Sequence, residues 1–224
     1  TETFEGMLGQ PGYRFIYMHR DPRDAAISWA HDFENQGTCG EKTFPELLEM
    51  VVTHNQPPHV KAAAKWVASD CMVITFNQVK KNTKHVVSQI LEYVDYFAPA
   101  ETTVLSETEI DTIIAKCSFE ALTGRKRGED GETLRTGYMI RKGISGEWRK
   151  QFSFELIAKC NDIVGREIIT LGYPITGPDH SLDDETPSKP VLTAVDTLST
   201  AESNFAQIVS PPFSCGVAWL INAL

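Results

Sequence analysis

The sequence predicts an α/β protein in which a small parallel sheet is flanked by helices. Two short apolar runs, residues 13–19 and 71–76, have the length and composition of buried strands. Each run is followed by segments with apolar residues at helical spacing, and such alternation is typical of a parallel sheet. With 224 residues, 42% hydrophobic and 23% charged, the chain can build a core, which excludes a disordered, collagen-like or coiled-coil chain.

The first predicted strand leads directly into a helix. Asp21 and Pro22 follow the strand, and proline is favoured in the first helical turn because the N–H that it lacks would have no partner there. Apolar residues at helical spacing predict three further helices, over residues 44–52, 60–68 and 154–171, the last ended by Gly172.

The second predicted strand leads into a longer helix. Asn77 follows the strand and is predicted to cap one helix over residues 78–96. The Ser-Glu-Thr-Glu sequence at 106–109 is typical of a capping box and predicts another helix start. Residues 124–146 are rich in glycine and charge and are predicted to form a loop.

Charge and cysteine usage narrow the functional classes. The net charge of −9 argues against nucleic-acid binding, which needs a basic surface. Positive charge is concentrated in residues 124–150, which favours a small anionic ligand. Five cysteines without a Cys-x-x-Cys pair predict reduced, mostly buried thiols in a reducing compartment, the cytoplasm, and no metal site. The apolar stretches are far shorter than the ~20 residues of a membrane helix, so no membrane span is predicted.

The first candidate site is the Arg-Asp-Pro-Arg-Asp sequence of residues 20–24, together with Ser28. Arg20 stands at the predicted strand end, and Ser28 lies about two turns into the next helix. A guanidinium, a hydroxyl and a helix N-terminus around one point favour a phosphate dianion. Taken alone, the pattern favours a plainer interpretation, a capped helix with a surface Arg–Asp pair.

The second candidate site is the Arg-Lys-Gly-Ile-Ser-Gly-Glu-Trp sequence of residues 141–148. Two adjacent cations flanked by glycines allow a loop to close over a phosphate, and Trp148 can anchor the far end of that loop in the core. A solvated basic turn is an equally good interpretation of the composition.

In combination, these two motifs resemble the sulfotransferases that use PAPS (3′-phosphoadenosine 5′-phosphosulfate). Residues 13–28 are similar to the family's aromatic strand, its Arg-x-Pro-x-Asp and the Ser of its 3′-phosphate site. Residues 141–148 resemble its Arg-Lys-Gly-x-x-Gly-Asp-Trp signature, with Glu147 in place of Asp. The resemblance covers about residues 13–173 and implies the P-loop-like sulfotransferase fold there. It implies that the 3′-phosphate of PAPS, or of adenosine 3′,5′-bisphosphate, is held by Arg20, Ser28, Arg141, Lys142 and Gly143.

Intermediate segments also resemble this family. Phe76 stands where the family has a Tyr that contacts the adenine, and it keeps the stacking face. Ser118 and Phe119 resemble a Ser-Phe pair that borders the same base, although core packing is an alternative for both phenylalanines. His59 lies in a stretch similar to the family's His-Val-x-x-Trp-Trp and is a candidate for the acceptor pocket, although a surface histidine is commoner.

The last segment, residues 206–224, resembles the strand, loop and helix with which the family begins and which grip the 5′-phosphosulfate. Aligned on the glycine and tryptophan of that loop, this chain lacks the family's lysine and its phosphate-facing hydroxyls. Circular permutation, excision from a tandem array and a chance match compete as explanations of this order. The candidate residues are Ser214, Cys215, Gly216, Val217, Ala218 and Trp219.

The predicted organisation is therefore a core over residues 1–173, an acidic linker rich in Pro, Ser and Thr over 174–205, and the terminal segment. The resemblance implies transfer of a sulfuryl group from PAPS to a hydroxyl or amine of a small-molecule acceptor. A non-catalytic module that binds a nucleotide or a protein is the alternative, because the family's loop Lys and catalytic His have no counterpart here. No catalytic residue is predicted.

Overall fold

The computed structural model describes residues 14–37, 39–97, 105–129, 131, 133–135 and 138–175. The described chain divides into two compact units, one made of residues 14–73 and 144–175 and the other of residues 74–143. Beyond residue 175, the predicted linker and the terminal segment with Ser214–Trp219 lie outside the described residues.

The described chain combines helices with short strands, which confirms the predicted α/β class. In chain order the elements are β1 (Ile16–His19), α1 (Pro22–Gln36), α2 (Phe44–Met50), a π-helical turn (Val51–Asn55), α3 (Pro57–Val67), β2 (Met72–Thr75), α4 (Phe76–Lys81), α5 (Thr83–Phe97), α6 (Glu107–Lys116), α7 (Phe119–Thr123), β3 (Thr133–Arg135), β4 (Tyr138–Ile140), α8 (Trp148–Gln151) and α9 (Phe154–Thr170).

A small parallel sheet pairs β1 with β2. At its edge the N–H of Met72 donates to the carbonyl of Phe15 at 2.9 Å. Trp66 of α3 packs on the rings of Phe15 and Tyr17, with centroids 5.3 and 5.8 Å apart. These contacts fix α3 against the strand that leads into the first candidate site.

The core of the first unit lies between the inner faces of α1, α2, α3 and α9. Ala26, Ile27 and Ala30 of α1 have no exposed surface, and their spacing is that of one helical face. The side chains that pack with them include Leu48, Val51, Val60, Val164 and Ile168. Because apolar burial is the main favourable term in folding, this core holds α1 in place directly after β1.

The prediction of one helix capped by Asn77 is wrong. Thr75 is the cap: its hydroxyl accepts from the N–H of Gln78 at 3.2 Å, and the Gln78 amide oxygen accepts from the N–H of Thr75 at 2.7 Å. At Asn82 the backbone leaves the helical region, with φ −153° and ψ 73°, so the predicted helix is divided into α4 and α5. The reciprocal pair at Thr75 and Gln78 satisfies two backbone groups, which a cap at Asn77 would leave open.

The prediction of a loop over residues 124–146 is also wrong in its middle. β3 and β4 pair there as an antiparallel hairpin, with Leu134 opposite Met139. Cross-strand pairing stabilises strands this short, and their own composition carries no clear alternation.

The described cysteines differ from the expectation of mostly buried thiols. Cys160 is buried, whereas Cys39, Cys71 and Cys117 are half-buried, and all four are free thiols. Within the described ranges, no helix combines the length and apolar character that crossing a bilayer requires.

Candidate functional site

The segment 20–24 forms the junction between β1 and α1. Asp21 caps α1, its Oδ1 accepting from the N–H of Arg23 at 3.0 Å. The Arg23 guanidinium binds the same carboxylate twice, with Nε 2.9 Å from Oδ1 and Nη2 2.7 Å from Oδ2. The predicted cap is thus confirmed, but the Arg–Asp pair is buried rather than on the surface, because Arg23 is only 1% exposed. A two-point ion pair inside the unit fixes the direction in which α1 begins.

Asp24 connects this junction to the second motif. Its Oδ2 accepts from the N–H of Gly146 at 2.6 Å, and its Oδ1 accepts from the N–H of Trp148 at 3.1 Å. Arg20 adds a third link, since its Nη2 donates to the carbonyl of Ile144 at 3.1 Å. Residues of the two motifs therefore meet within the first unit, although 122 positions separate Asp24 from Gly146.

Opposing influences act on the Asp24 carboxylate, and burial is the largest of them, so that its pKa is raised overall. Burial raises the pKa of Asp24, and the neighbouring Asp21 carboxylate raises it further. The Arg20 guanidinium, 3.9 Å away, and the N–H groups of Gly146 and Trp148 lower it. A buried acid with two backbone donors is well suited to hold a loop, because both of its oxygens have partners.

Trp148 has no exposed surface, which confirms the prediction that it anchors the second motif in the core. The guanidinium carbon of Arg23 lies 3.7 Å from the centroid of its ring, and that of Arg149 lies 4.8 Å away. Cations over an indole face are attracted by its negative quadrupole, so Trp148 also stabilises the buried Arg23.

Two further predicted residues lie in the first unit. Ser28 is half-buried on α1, the helix that begins beside Arg20. His59 is exposed in the first turn of α3, and its ring meets that of Trp29 edge-on at 5.3 Å. Their assignments to a phosphate and to an acceptor pocket stay predictions.

The second unit holds the remaining described residues of the predicted site. Phe76 is the first residue of α4, and the centroid of its ring lies 5.8 Å from Nζ of Lys80. Ser118 caps α7, its hydroxyl accepting from the N–H of Ala121 at 3.2 Å, and the buried Phe119 follows it. The roles of Phe76, Ser118 and Phe119 beside an adenine stay predictions.

Arg141, Lys142 and Gly143 follow β4 in the same unit and are half-buried. Gly143 has φ +64°, and a Cβ there would lie 2.7 Å from Cδ2 of Phe119. Both the backbone conformation and the close approach to the ring require glycine at this position.

Asp24, which binds the second motif, was not among the site residues predicted from the sequence. An acid in the first turn of a helix is ordinarily explained by the helix dipole alone, so its position carries no sign of a long-range contact. Its place on the helix could have indicated that Asp24 is buried. Asp24 lies three and six positions before Ile27 and Ala30, which are buried on the inner face of α1.

A buried histidine beside the site makes stability depend on pH. His19 is 8% exposed, and its Nδ1 lies 3.4 Å from the hydroxyl of Tyr173. Burial lowers the pKa of His19 to about 4. In the unfolded chain a histidine titrates near ~6.5, so between these values the unfolded state binds more protons and stability falls as pH falls, by on the order of 3 kcal/mol in total.

The check is the free energy of urea unfolding between pH 7 and pH 4.5. His19→Gln is expected to reduce the loss of stability across this range, because it removes the group that titrates differently in the two states. The matched variant is His85→Gln, at an exposed histidine. An equal pH dependence in wild type and His19→Gln would contradict the assignment.

Comparison with known proteins identifies the family. Residues 3–172 match the family model described as Sulfotransferase domain. The chain is 22% identical over 177 residues to flavonol 3-sulfotransferase of Flaveria bidentis, covering 71% of this chain and 56% of that protein. It is 23% identical over 201 residues to luciferin sulfotransferase of Photinus pyralis (80% and 50%), and 25% identical over 158 residues to cytosolic sulfotransferase 12 of Arabidopsis thaliana (64% and 46%). The chain spans about half the length of these curated relatives. Since the family model matches well over half of the chain, this protein belongs to the sulfotransferase family.

Proposed function

We propose that this chain is a PAPS-dependent sulfotransferase domain that transfers a sulfuryl group to a hydroxyl or amine of a small-molecule acceptor. The observation that carries the proposal is the meeting of residues 20–24 with residues 144–148 at the start of α1. A helix N-terminus attracts anions through its dipole and its N–H groups, and a guanidinium beside it adds charge-assisted hydrogen bonds. Arg20 provides the guanidinium and the start of α1 provides the positive end of the helix dipole, while the N–H groups of Arg23 and Ala25 are already bound by Asp21.

The proposal assigns the residue roles that the family resemblance implies. Arg20 and Ser28 bind the 3′-phosphate of PAPS or of adenosine 3′,5′-bisphosphate. The same role is assigned to Arg141, Lys142 and Gly143. The aromatic contacts of the adenine are assigned to Phe76 and Phe119, with Ser118 beside them.

Catalysis in this proposal is electrostatic. The hydroxyl oxygen or amine nitrogen of the acceptor attacks sulfur and loses its proton to water, the bond between sulfur and the 5′-phosphate oxygen breaks, and adenosine 3′,5′-bisphosphate leaves. Positive groups that balance the charge on the transferred group and on the leaving phosphate lower the barrier.

The four free thiols among the described cysteines support the cytoplasm as the proposed location.

A second candidate function is a non-catalytic module that binds the nucleotide or a protein partner. The observation that favours it is Ser214, which stands where the resembling family segment has its lysine. Loss of that cation would weaken charge balance during transfer and leave the contacts to the 3′-phosphate in place.

The test is a calorimetric titration with adenosine 3′,5′-bisphosphate, combined with its effect on the melting temperature. Saturable binding that raises the melting temperature is expected, because a ligand that binds only the folded state stabilises it. Ser28→Ala is expected to weaken binding by about tenfold or more, the typical effect of losing a hydrogen bond to a charged group. Ser28 is chosen over Arg20 because Arg20 also binds the carbonyl of Ile144.

The matched control is Ser88→Ala, at a half-buried serine of α5, and its affinity should equal that of wild type. Wild-type protein that neither binds nor is stabilised would refute the proposal, and equal affinity in Ser28→Ala would refute the role of Ser28. Assays of sulfate transfer from PAPS to phenols, alcohols and amines then separate the two functions. Stabilisation without transfer supports the non-catalytic module.

A further inference from the structure

Arg125 binds the backbone of two neighbouring segments in the second unit. Its Nη2 donates to the carbonyl of Ile140 at 2.9 Å, and its Nη1 donates to the carbonyl of Arg141 at 2.8 Å. The same Nη1 lies 3.2 Å from the carbonyl of Glu129 and 2.8 Å from that of Gly131. One guanidinium thus ties the loop after α7 to the chain that leaves β4.

The next two carbonyls of that chain are bound by residues that follow Arg125. The N–H of Gly128 donates to the carbonyl of Lys142 at 2.9 Å. Nη1 of Arg127 lies 3.4 Å from the carbonyl of Gly143. Four successive carbonyls, from residue 140 to residue 143, therefore accept from residues 125–128.

The ring of Phe119 packs against both of the segments that these hydrogen bonds join. The guanidinium carbons of Arg125 and Arg127 lie 5.5 and 5.7 Å from the centroid of its ring. Gly143 approaches the same ring so closely that a Cβ would lie 2.7 Å from it. Since Phe119 is 4% exposed, its ring is a fixed surface on which both segments rest.

We infer that Arg125 is a positioning residue, which holds the backbone of residues 141–143 so that the side chains of Arg141 and Lys142 meet the phosphate of the nucleotide. The inference rests on the proposed function. A guanidinium suits this task because its five donors are fixed in one plane and can bind several carbonyls at defined angles. A lysine ammonium keeps the charge but is a compact point with three rotatable donors, so it should not replace Arg125.

The experiment measures the dissociation constant for adenosine 3′,5′-bisphosphate at several salt concentrations in Arg125→Lys and Arg125→Met. Both variants are expected to bind about tenfold more weakly, because each loses the hydrogen bonds that orient the segment. The slope of log Kd against log salt should decrease even in Arg125→Lys, which keeps the charge at position 125, because displaced Arg141 and Lys142 side chains make fewer ionic contacts with the ligand. Arg166→Met, at an exposed arginine of α9, is the control for loss of one charge and should bind like wild type.

A double-mutant cycle with Lys142→Met separates positioning from general destabilisation. In the Lys142→Met background, Arg125→Met should have a smaller effect on Kd, because one of the two side chains that Arg125 positions is already gone. Additive effects, wild-type affinity in Arg125→Lys, or a salt slope that stays that of wild type would each overturn the inference.

Hydrogen exchange in the ligand-free protein is a second test of whether Arg125 holds the segment after β4. The amide of Gly128, which donates to the carbonyl of Lys142 at 2.9 Å, should exchange faster in Arg125→Met than in wild type or in Arg166→Met, because the segment that it binds has lost its other hydrogen-bond partners. Unchanged exchange would overturn the inference. Absence of binding by the wild-type protein would instead overturn the proposed function, and the exchange rates would still decide whether Arg125 holds this segment.

Discussion

Replacing Trp148 with alanine is expected to lower the free energy of unfolding by about 3–5 kcal/mol, the usual cost of truncating a buried aromatic side chain. The Trp148 side chain has no exposed surface, and its ring lies 3.7 Å from the guanidinium carbon of Arg23. Truncation opens a cavity and also removes the surface against which the buried Arg23–Asp21 pair rests. The measurement is equilibrium unfolding in urea.

Trp148→Phe is the matched variant for this test. It keeps an aromatic ring beside Arg23 and removes the indole N–H, which has no acceptor within the described part of the chain. It should therefore lose less than half of the stability that Trp148→Ala loses. An alanine variant as stable as wild type would show that Trp148 does not anchor residues 144–148.

Replacing Asp24 with alanine is expected to lower the free energy of unfolding by about 3 kcal/mol, because one buried and one partly buried N–H group lose their acceptor at ~1–3 kcal/mol each. These N–H groups belong to Gly146 and Trp148, at 2.6 and 3.1 Å from the carboxylate. The amide protons of both residues should also exchange faster with solvent, which NMR measures site by site.

The matched control for Asp24→Ala is Asp162→Ala, at an exposed aspartate of α9, which should change stability by less than ~0.5 kcal/mol. If both alanine variants unfold at the same urea concentration, the carboxylate of Asp24 does not hold the second motif. Slow exchange of the Gly146 amide in Asp24→Ala would lead to the same conclusion.

Helix starts and stops with local signals were predictable from the sequence. Proline after Asp21 marks the start of α1, and the capping box at Ser106 marks the start of α6. Gly172, with φ +84°, follows the end of α9. Each of these signals acts through residues within one turn of the helix end, so tertiary contacts are not needed to recognise it.

The start of α4 was mispredicted because Thr75 and Asn77, two positions apart, are both suitable N-cap residues. Asn77 has a suitable side chain, but Thr75 and Gln78 form a reciprocal box in which each side chain binds the other residue's N–H. The Thr-x-x-Gln spacing was present in the sequence and is the stronger signal, since it satisfies two backbone donors. The hairpin of β3 and β4 had no comparable local signal.

By itself, the sequence determined the α/β class, the main helices of the first unit and the two motifs that resemble the sulfotransferase family. Only the tertiary structure decided that Asp24 binds Gly146 and Trp148, that the pair of Arg23 and Asp21 is buried, and that Arg125 binds the chain after β4. The physical reason is the range of the interactions. Caps and helical faces depend on neighbours within a few residues, whereas these hydrogen bonds join residues brought together only when the helices pack.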